Sequence, residues 1–176
     1  MVRELAVPVY DKQRRLLGYT PRVGVAFSLN GGEPIRRLAI FDSGADDTTI
    51  PAEVARDLGH PFEDLPFVHK ATGVGSSFDC HCLQGLTIGY HDWAVVGDVL
   101  VAEPGVLDVT LLGRADFFSH FSVQFCWYAK PPEYYVLPAD GAAPPPVTGE
   151  YPGNIDPPGP TATPSVPPII VAGPTG

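Results

Sequence analysis

Proline is spread so unevenly along this sequence that it limits how much of the chain can fold. The last 39 residues, Pro138 to Gly176, hold 12 of the 21 prolines and contain neither Lys nor Arg. Runs such as Pro144-Pro145-Pro146 and Pro157-Pro158-Gly159-Pro160 lack the amide hydrogens that sheets and helices need, and they favour extended polyproline conformations. Residues 138–176 are therefore expected to form a flexible tail. Such a tail is either an inert solvated end or a docking segment for a Pro-binding partner. Its one apolar cluster is Ile169-Ile170-Val171. Folding falls to residues 1–137, enough for one domain with a sizeable core and too few for two.

Within 1–137 the periodicity is that of strands. Val23, Val25, Phe27 and Leu29 alternate with Gly24, Ala26 and Ser28, a spacing of two. Asn30-Gly31 follows as a hairpin turn, because both residues tolerate positive φ. The next strand, Arg37 to Phe41, runs directly into Asp42. Pro51 to Leu58 is expected to be a short helix, with Pro51 at its first position and Gly59 at its C-terminal cap. Further strands are expected over Gln84–Tyr90 and Ala94–Val101, about a His91-Asp92 turn, and over Leu107–Leu112. A short helix is expected at Arg114–Phe118 and a last strand at Phe121–Tyr128. Many short strands, Gly-rich turns and little helix make this an all-β chain, a compact barrel or sandwich.

Composition excludes several functions. With 20 acidic against 11 basic residues, the net charge is −9. Such a chain gains nothing from counterion release on a polyanion, so nucleic acid is not expected as a partner. No apolar run approaches the ~20 residues that cross a bilayer, so no membrane is expected either. The N-terminus lacks an apolar signal core, and three cysteines is an odd count, which together fit a reducing, cytoplasmic setting. Cys80-His81-Cys82 places its two thiols on one strand face with His81 on the other. A zinc site needs more ligands than these, so neither a metal nor another cofactor is expected. There is no Gly-x-Ser-x-Gly elbow, and Gly73-x-Gly75 lacks the third glycine of a nucleotide loop.

The chemistry concentrates in Leu38-Ala39-Ile40-Phe41-Asp42-Ser43-Gly44-Ala45-Asp46-Asp47-Thr48-Thr49-Ile50. A carboxylate stands at the end of an apolar strand, followed by a hydroxyl residue and a glycine that permits a tight turn. This string resembles the active-site motif of retropepsins, Asp-Thr/Ser-Gly-Ala-Asp-x-Thr. Leu111-Leu112-Gly113-Arg114 is similar to that family's hydrophobic-hydrophobic-Gly-Arg segment. Thr72-Gly73-Val74-Gly75-Ser76 is similar to the glycine-rich tip of its flap hairpin. The three elements occur in the family's order over roughly Val23 to Phe121. Two features depart from the pattern: Ser43 stands where retroviral enzymes carry threonine, and Arg114 is followed by Ala115-Asp116 where relatives place Asn or Asp at once.

The resemblance implies a closed, single-lobed acid-protease barrel that works as a homodimer, with Asp42 as the catalytic residue. Ser43, Gly44 and Arg114 would support the active-site loop, Ser43 by bonding across the two-fold seam and Arg114 by pairing with Asp46. Ala45, Asp46, Asp47, Thr72, Gly73, Val74, Gly75 and Leu112 would contact an extended peptide substrate. The flap would close over it, and Leu112 and Val74 would line apolar subsites. Peptide hydrolysis by this chemistry takes two close carboxylates sharing one proton, one activating water and the other protonating the scissile amide. The chain carries a single such motif, so the second carboxylate would come from a second copy. Retroviral relatives interleave their termini at the seam, and Phe121–Tyr128 is the segment that would do so here. The alternatives are a catalytically silent peptide-binding or dimerisation module of the same fold, and a scaffold that works through its Pro-rich tail.

Overall fold

A computed structural model describes residues 1–73 and 76–139. Twelve strands account for most of it: β1 (Val2–Leu5), β2 (Val7–Tyr10), β3 (Leu16–Thr20), β4 (Arg22–Leu29), β5 (Ile35–Phe41), β6 (Thr49–Pro51), β7 (Phe67–Gly73), β8 (Ser76–Tyr90), β9 (Trp93–Ala102), β10 (Thr110–Leu112), β11 (Phe121–Cys126) and β12 (Glu133–Pro138). Among the described residues there is one α-helix, α1, which spans Ala52–Asp57. No helix among the described residues is long and apolar enough to cross a membrane.

The strands β4-β5-β10-β6-β9-β8 pair in that order, and β8 returns to pair with β4, so the sheet closes into a barrel and not a sandwich. Closure follows from the length of β8. Its second half pairs with β4 from Ala26↔Gly89 to Leu29↔Leu86. Its first half pairs with β7 outside the ring, from Phe67↔His81 to Gly73↔Ser76. Between the halves the register against β9 shifts at Leu83/Leu86. Gly85 takes φ +69 there, a value glycine adopts without strain, and its N–H donates to an Asp98 carboxylate oxygen at 2.9 Å. A bulge of this kind bends a strand, and here it separates the barrel wall from the β7–β8 hairpin.

The apolar alternation of β4 becomes the barrel core. Val23, Val25, Phe27 and Leu29 are buried with Ala39, Phe41, Ile50, Leu86, Ile88, Val99, Val101 and Leu112. Asn30 and Gly31 both take positive φ, 53° and 73°, as the Asn-Gly turn requires. Pro51 caps α1 from outside with ψ 148°, one position earlier than expected, and Gly59 closes it at φ +87 with its N–H on Arg56 O. The strand expected over Leu107–Leu112 is shorter, and the one over Phe121–Tyr128 ends at Cys126.

A second sheet, β1-β12-β11, packs against the barrel near its first strand. Tyr134 on β12 is fully buried, and its hydroxyl donates to Arg22 O at 2.6 Å. Its ring meets Phe41 edge-on at 5.3 Å, and Phe41 also contacts Phe117 at 5.1 Å. Phe117 stacks on Phe121 at 4.6 Å. Aromatic pairs of this geometry add about 0.5–1.5 kcal/mol each beyond burial, so the residue before Asp42 is rooted in a rigid cluster. Order continues past Leu137: Ala139 donates its N–H to His120 O at 2.9 Å.

Candidate active site

Asp42 is held by backbone on three sides. Parallel pairing of β5 with β10 aligns Phe41 with Leu112, and the Asp42 N–H continues the ladder by donating to Leu112 O at 3.1 Å. Its Oδ1 accepts the Gly44 N–H at 2.9 Å. Its own carbonyl accepts the Ala45 N–H at 3.1 Å, closing a tight turn through Ser43 and Gly44. A Cβ on Gly44 would stand 3.1 Å from Asp42 Oδ1, so glycine leaves the carboxylate its room. Asp42 is half-buried while Ser43 and Gly44 are exposed: the acid is fixed in direction and still reachable.

The loop that carries Asp42 crosses a second segment, and the crossing is stitched by four hydrogen bonds. Arg114 N–H donates to Ala45 O at 3.0 Å and Ala115 N–H to Asp46 O at 2.8 Å. Gly113 N–H donates to Thr48 Oγ1 at 3.1 Å, and Thr48 N–H to Asp116 Oδ2 at 2.9 Å. Thr48 is buried, so its hydroxyl and amide must find partners inside the chain. Gly113 lies flat on the Asp47–Thr48 peptide; a Cβ there would come within 2.2 Å of Asp47 C. The Arg114 guanidinium pairs with the Asp46 carboxylate.

The helix expected at Arg114–Phe118 is a π-helical turn. Gly113 O accepts the N–H of both Phe117 and Phe118 at 3.1 Å, and Arg114 O that of Ser119 at 3.0 Å. The wider turn opens at Gly113-Arg114-Ala115-Asp116. It brings the Asp116 carboxylate back onto the Thr48 amide.

Thr72 and Gly73 lie at the end of the β7–β8 hairpin, opposite Ser77 and Ser76, and Thr72 is exposed. Val74 and Gly75 lie outside the described residues, as does the tail from Asp140 onward. Asp46 is exposed, and Ala45 and Asp47 are half-buried. Leu112 requires a correction: its side chain is 0% exposed within the barrel core, so it packs the interior of the chain, and what it offers the site is its carbonyl. Cys80 is fully buried, Cys82 is half-buried, and all three thiols are free. His81 stacks on Phe62 with ring centres 3.9 Å apart. Among the described residues, no group of three or more His, Cys, Asp or Glu is placed to hold a metal.

A family model described as aspartyl protease matches residues 25–115, a span that takes in the Asp42 loop, the β7–β8 hairpin and the Gly113-Arg114 segment. The chain belongs to the aspartyl protease family. No match was found among curated proteins. Among solved structures, the chain is similar to a retropepsin-like aspartic protease from Rickettsia conorii, with TM-score 0.50 and 14% identity over 77% of this chain and 99% of that one. It is also similar to EIAV protease complexed with the inhibitor HBY-793, with TM-score 0.44 and 22% identity over 56% of this chain and 85% of that one. The closed sheet and the likeness to the Rickettsia conorii structure make the fold of this aspartyl protease family member the retropepsin-like barrel.

Reading the family motifs alone leaves out Asp116, which the structure places at the crossing. Burial raises its carboxyl above the ordinary 3.8, with nearby Asp47 and Asp98 adding to the rise and the Thr48 bonds opposing it. A carboxyl raised in the folded state favours folding while protonated. That contribution is complete below about 3.8 and is lost as pH rises through the higher folded value. Asp116→Asn keeps an oxygen for the Thr48 N–H and has no charge to desolvate. Its Tm should therefore rise relative to the parent's as pH increases from about 3.5 to about 7. Thermal melts of both proteins across that range would test this, and a flat difference would contradict it.

Arg114 and Asp46 stand on the solvent side of the same crossing, with side chains 59% and 79% exposed. An exposed pair is worth at most about 1 kcal/mol, whereas the backbone bonds of Arg114 and Ala115 do not depend on the guanidinium. Arg114→Ala should thus lower stability by no more than about 1 kcal/mol in urea melts. A loss several times larger would mean that the ion pair, not the backbone stitching, holds the loop.

Proposed function

We propose that this aspartyl protease family member is an endopeptidase in which two copies of Asp42, one from each subunit of a homodimer, hydrolyse extended polypeptides. The observation that carries this reading is the setting of Asp42: a reachable carboxylate, fixed by Leu112 O and the Gly44 N–H at the end of a core strand, within a family match that surrounds it. One carboxylate is half of what the reaction takes. A pair a few ångströms apart holds a single proton between them, because both cannot ionise at that separation. The ionised member takes a proton from water as that water attacks the scissile carbonyl. The protonated member hydrogen-bonds the carbonyl oxygen, and a proton is then delivered to the departing amine. No covalent intermediate forms. With Oδ1 committed to Gly44, Oδ2 is the atom offered to water or substrate.

Ser43, exposed at the tip of the turn, would face its copy across the two-fold axis. Asp46 and Asp47 would bind the peptide backbone, and the β7–β8 hairpin with Thr72, Gly73, Val74 and Gly75 would close over it, excluding water. Free Cys80, Cys82 and Cys126 fit a reducing, cytoplasmic location. The Pro-rich stretch beyond Ala139 would serve as a tail outside the catalytic unit. Digestion of a peptide library, read by mass spectrometry, should reveal cleavage within extended segments, favouring apolar residues at the cut. A library left intact at micromolar enzyme, across acid to neutral pH, would refute the assignment.

A further inference from the structure

Residues Val7 to Thr20 form a hairpin that the other described residues leave uncovered. Among the described residues, β2 and β3 pair only with each other, and no residue from Val7 to Thr20 is buried. Yet Tyr10, Leu16 and Leu17 are large and apolar, and they stand 50%, 49% and 57% exposed. A two-stranded hairpin alone is at best marginally stable in water, and its outer edges present unpaired backbone groups to any strand that approaches. The other sheet outside the barrel differs: Tyr134, Val136 and Phe121 bury it against the core.

The hairpin is also preformed. Asp11 N–H donates to Arg15 O at 2.9 Å, and Arg15 N–H to Asp11 Oδ1 at 2.8 Å. The Arg15 guanidinium pairs with Asp11 Oδ2 at 2.6 Å. Lys12, Arg14 and Arg15 against Asp11 make the tip basic in a chain of net charge −9, so an acidic body of the chain's own kind is its electrostatic complement.

Its position decides among partners. β3 ends at Thr20, and the carbonyl of the next residue, Pro21, accepts the Phe41 N–H at 3.2 Å, one residue before Asp42. The apolar hairpin thus leaves the barrel at the end where the second carboxylate must arrive. We propose that the β2–β3 hairpin is the surface on which a second copy of the chain docks, seating the two Asp42 loops against each other. This rests on the two-copy reading of the site. It differs from a seam of interleaved termini built on Phe121–Tyr128, which would use the outer edge of β11, a strand paired on its inner side with β12.

The test compares the full chain with a Leu16→Asp/Leu17→Asp double variant by sedimentation equilibrium without substrate. Val96→Asp, on an exposed barrel position (67%), is the control. We expect the dimer Kd to rise at least about 100-fold in the double variant and to stay unchanged in the control. Peptide cleavage by the double variant should be lost when dilute and return when concentrated. A double variant that dimerises like the parent overturns the proposal, whatever its activity. A parent that stays monomeric at every concentration overturns it together with the two-copy reading. A parent dimer that cleaves nothing, yet dissociates in the double variant, supports the docking surface and refutes the catalytic reading. Should the double variant lose its melting transition, a photo-crosslinking benzophenone residue at position 17 of the parent decides. Crosslinks to the second copy in isotopically mixed dimers support the seam, and crosslinks confined within one chain overturn it.

Discussion

Asp42→Asn should abolish peptide cleavage, lowering turnover by roughly 10⁴-fold, while the protein remains folded. The amide has the size and shape of the acid and keeps an oxygen for the Gly44 N–H, which now reaches Asp42 Oδ1 at 2.9 Å. The backbone bonds to Leu112 and from Ala45 do not involve the side chain. What the amide cannot do is take a proton from water or pass one to the leaving amine. Because the substitution would enter both halves of a symmetric site, neither role survives. Turnover of a peptide cleaved by the parent, measured beside circular dichroism melts of both proteins, separates lost chemistry from lost structure. Activity retained within about 10-fold of the parent, with an intact fold, would remove Asp42 from the mechanism.

Gly113→Ala should have the largest effect on stability. The added Cβ would stand 2.2 Å from Asp47 C, 2.3 Å from Asp47 O and 2.6 Å from Thr48 N. All three are backbone atoms in the loop that carries Asp42, so no rotamer change relieves the clash. The two segments would have to separate, breaking the bonds of Gly113 to Thr48, Arg114 to Ala45 and Ala115 to Asp46. Overpacking of a well-filled site costs about 1–3 kcal/mol and sometimes more. Here we expect the upper end or beyond, with Tm lowered by about 10 °C. Calorimetry of Gly113→Ala beside Gly18→Ala, where a Cβ meets nothing within 4 Å, makes the comparison. Equal Tm values for the two variants would mean that the crossing is loose.

The parts of this fold that are legible in the sequence are those whose signal is local. The alternation of Val23, Val25, Phe27 and Leu29 marks β4, and the Asn30-Gly31 turn, with both residues at positive φ, fixes its hairpin with β5. The Asp42 loop and Gly113-Arg114 segment are motifs whose crossing sterics tolerate few alternatives. The second sheet is different. β12 follows Pro131-Pro132, which locally argues against a strand. Only its pairing with β11 and β1, the latter some 130 positions away in the chain, makes it one. Strand formation of that sort depends on tertiary neighbours more than on intrinsic preference. Asp116 escapes a motif-based reading because it stands two residues past Arg114, outside the Leu111–Arg114 segment, and the π turn that carries it to the Thr48 amide has no sequence signature. Leu112 illustrates the converse: an apolar residue next to a catalytic motif suggests a subsite, but in the closed barrel its side chain points into the core.

The account turns on two subunits each lending one acid to a single site, and mixing experiments test that directly. Parent chains and Asp42→Asn chains would be combined in equal amounts at fixed total concentration and allowed to exchange subunits. Peptide turnover would then be measured. If both acids are needed, only parent–parent dimers cleave, and activity should fall to about one quarter of the undiluted parent's. A value near one half, linear in the fraction of parent chains, would show that each Asp42 works alone and would contradict the account.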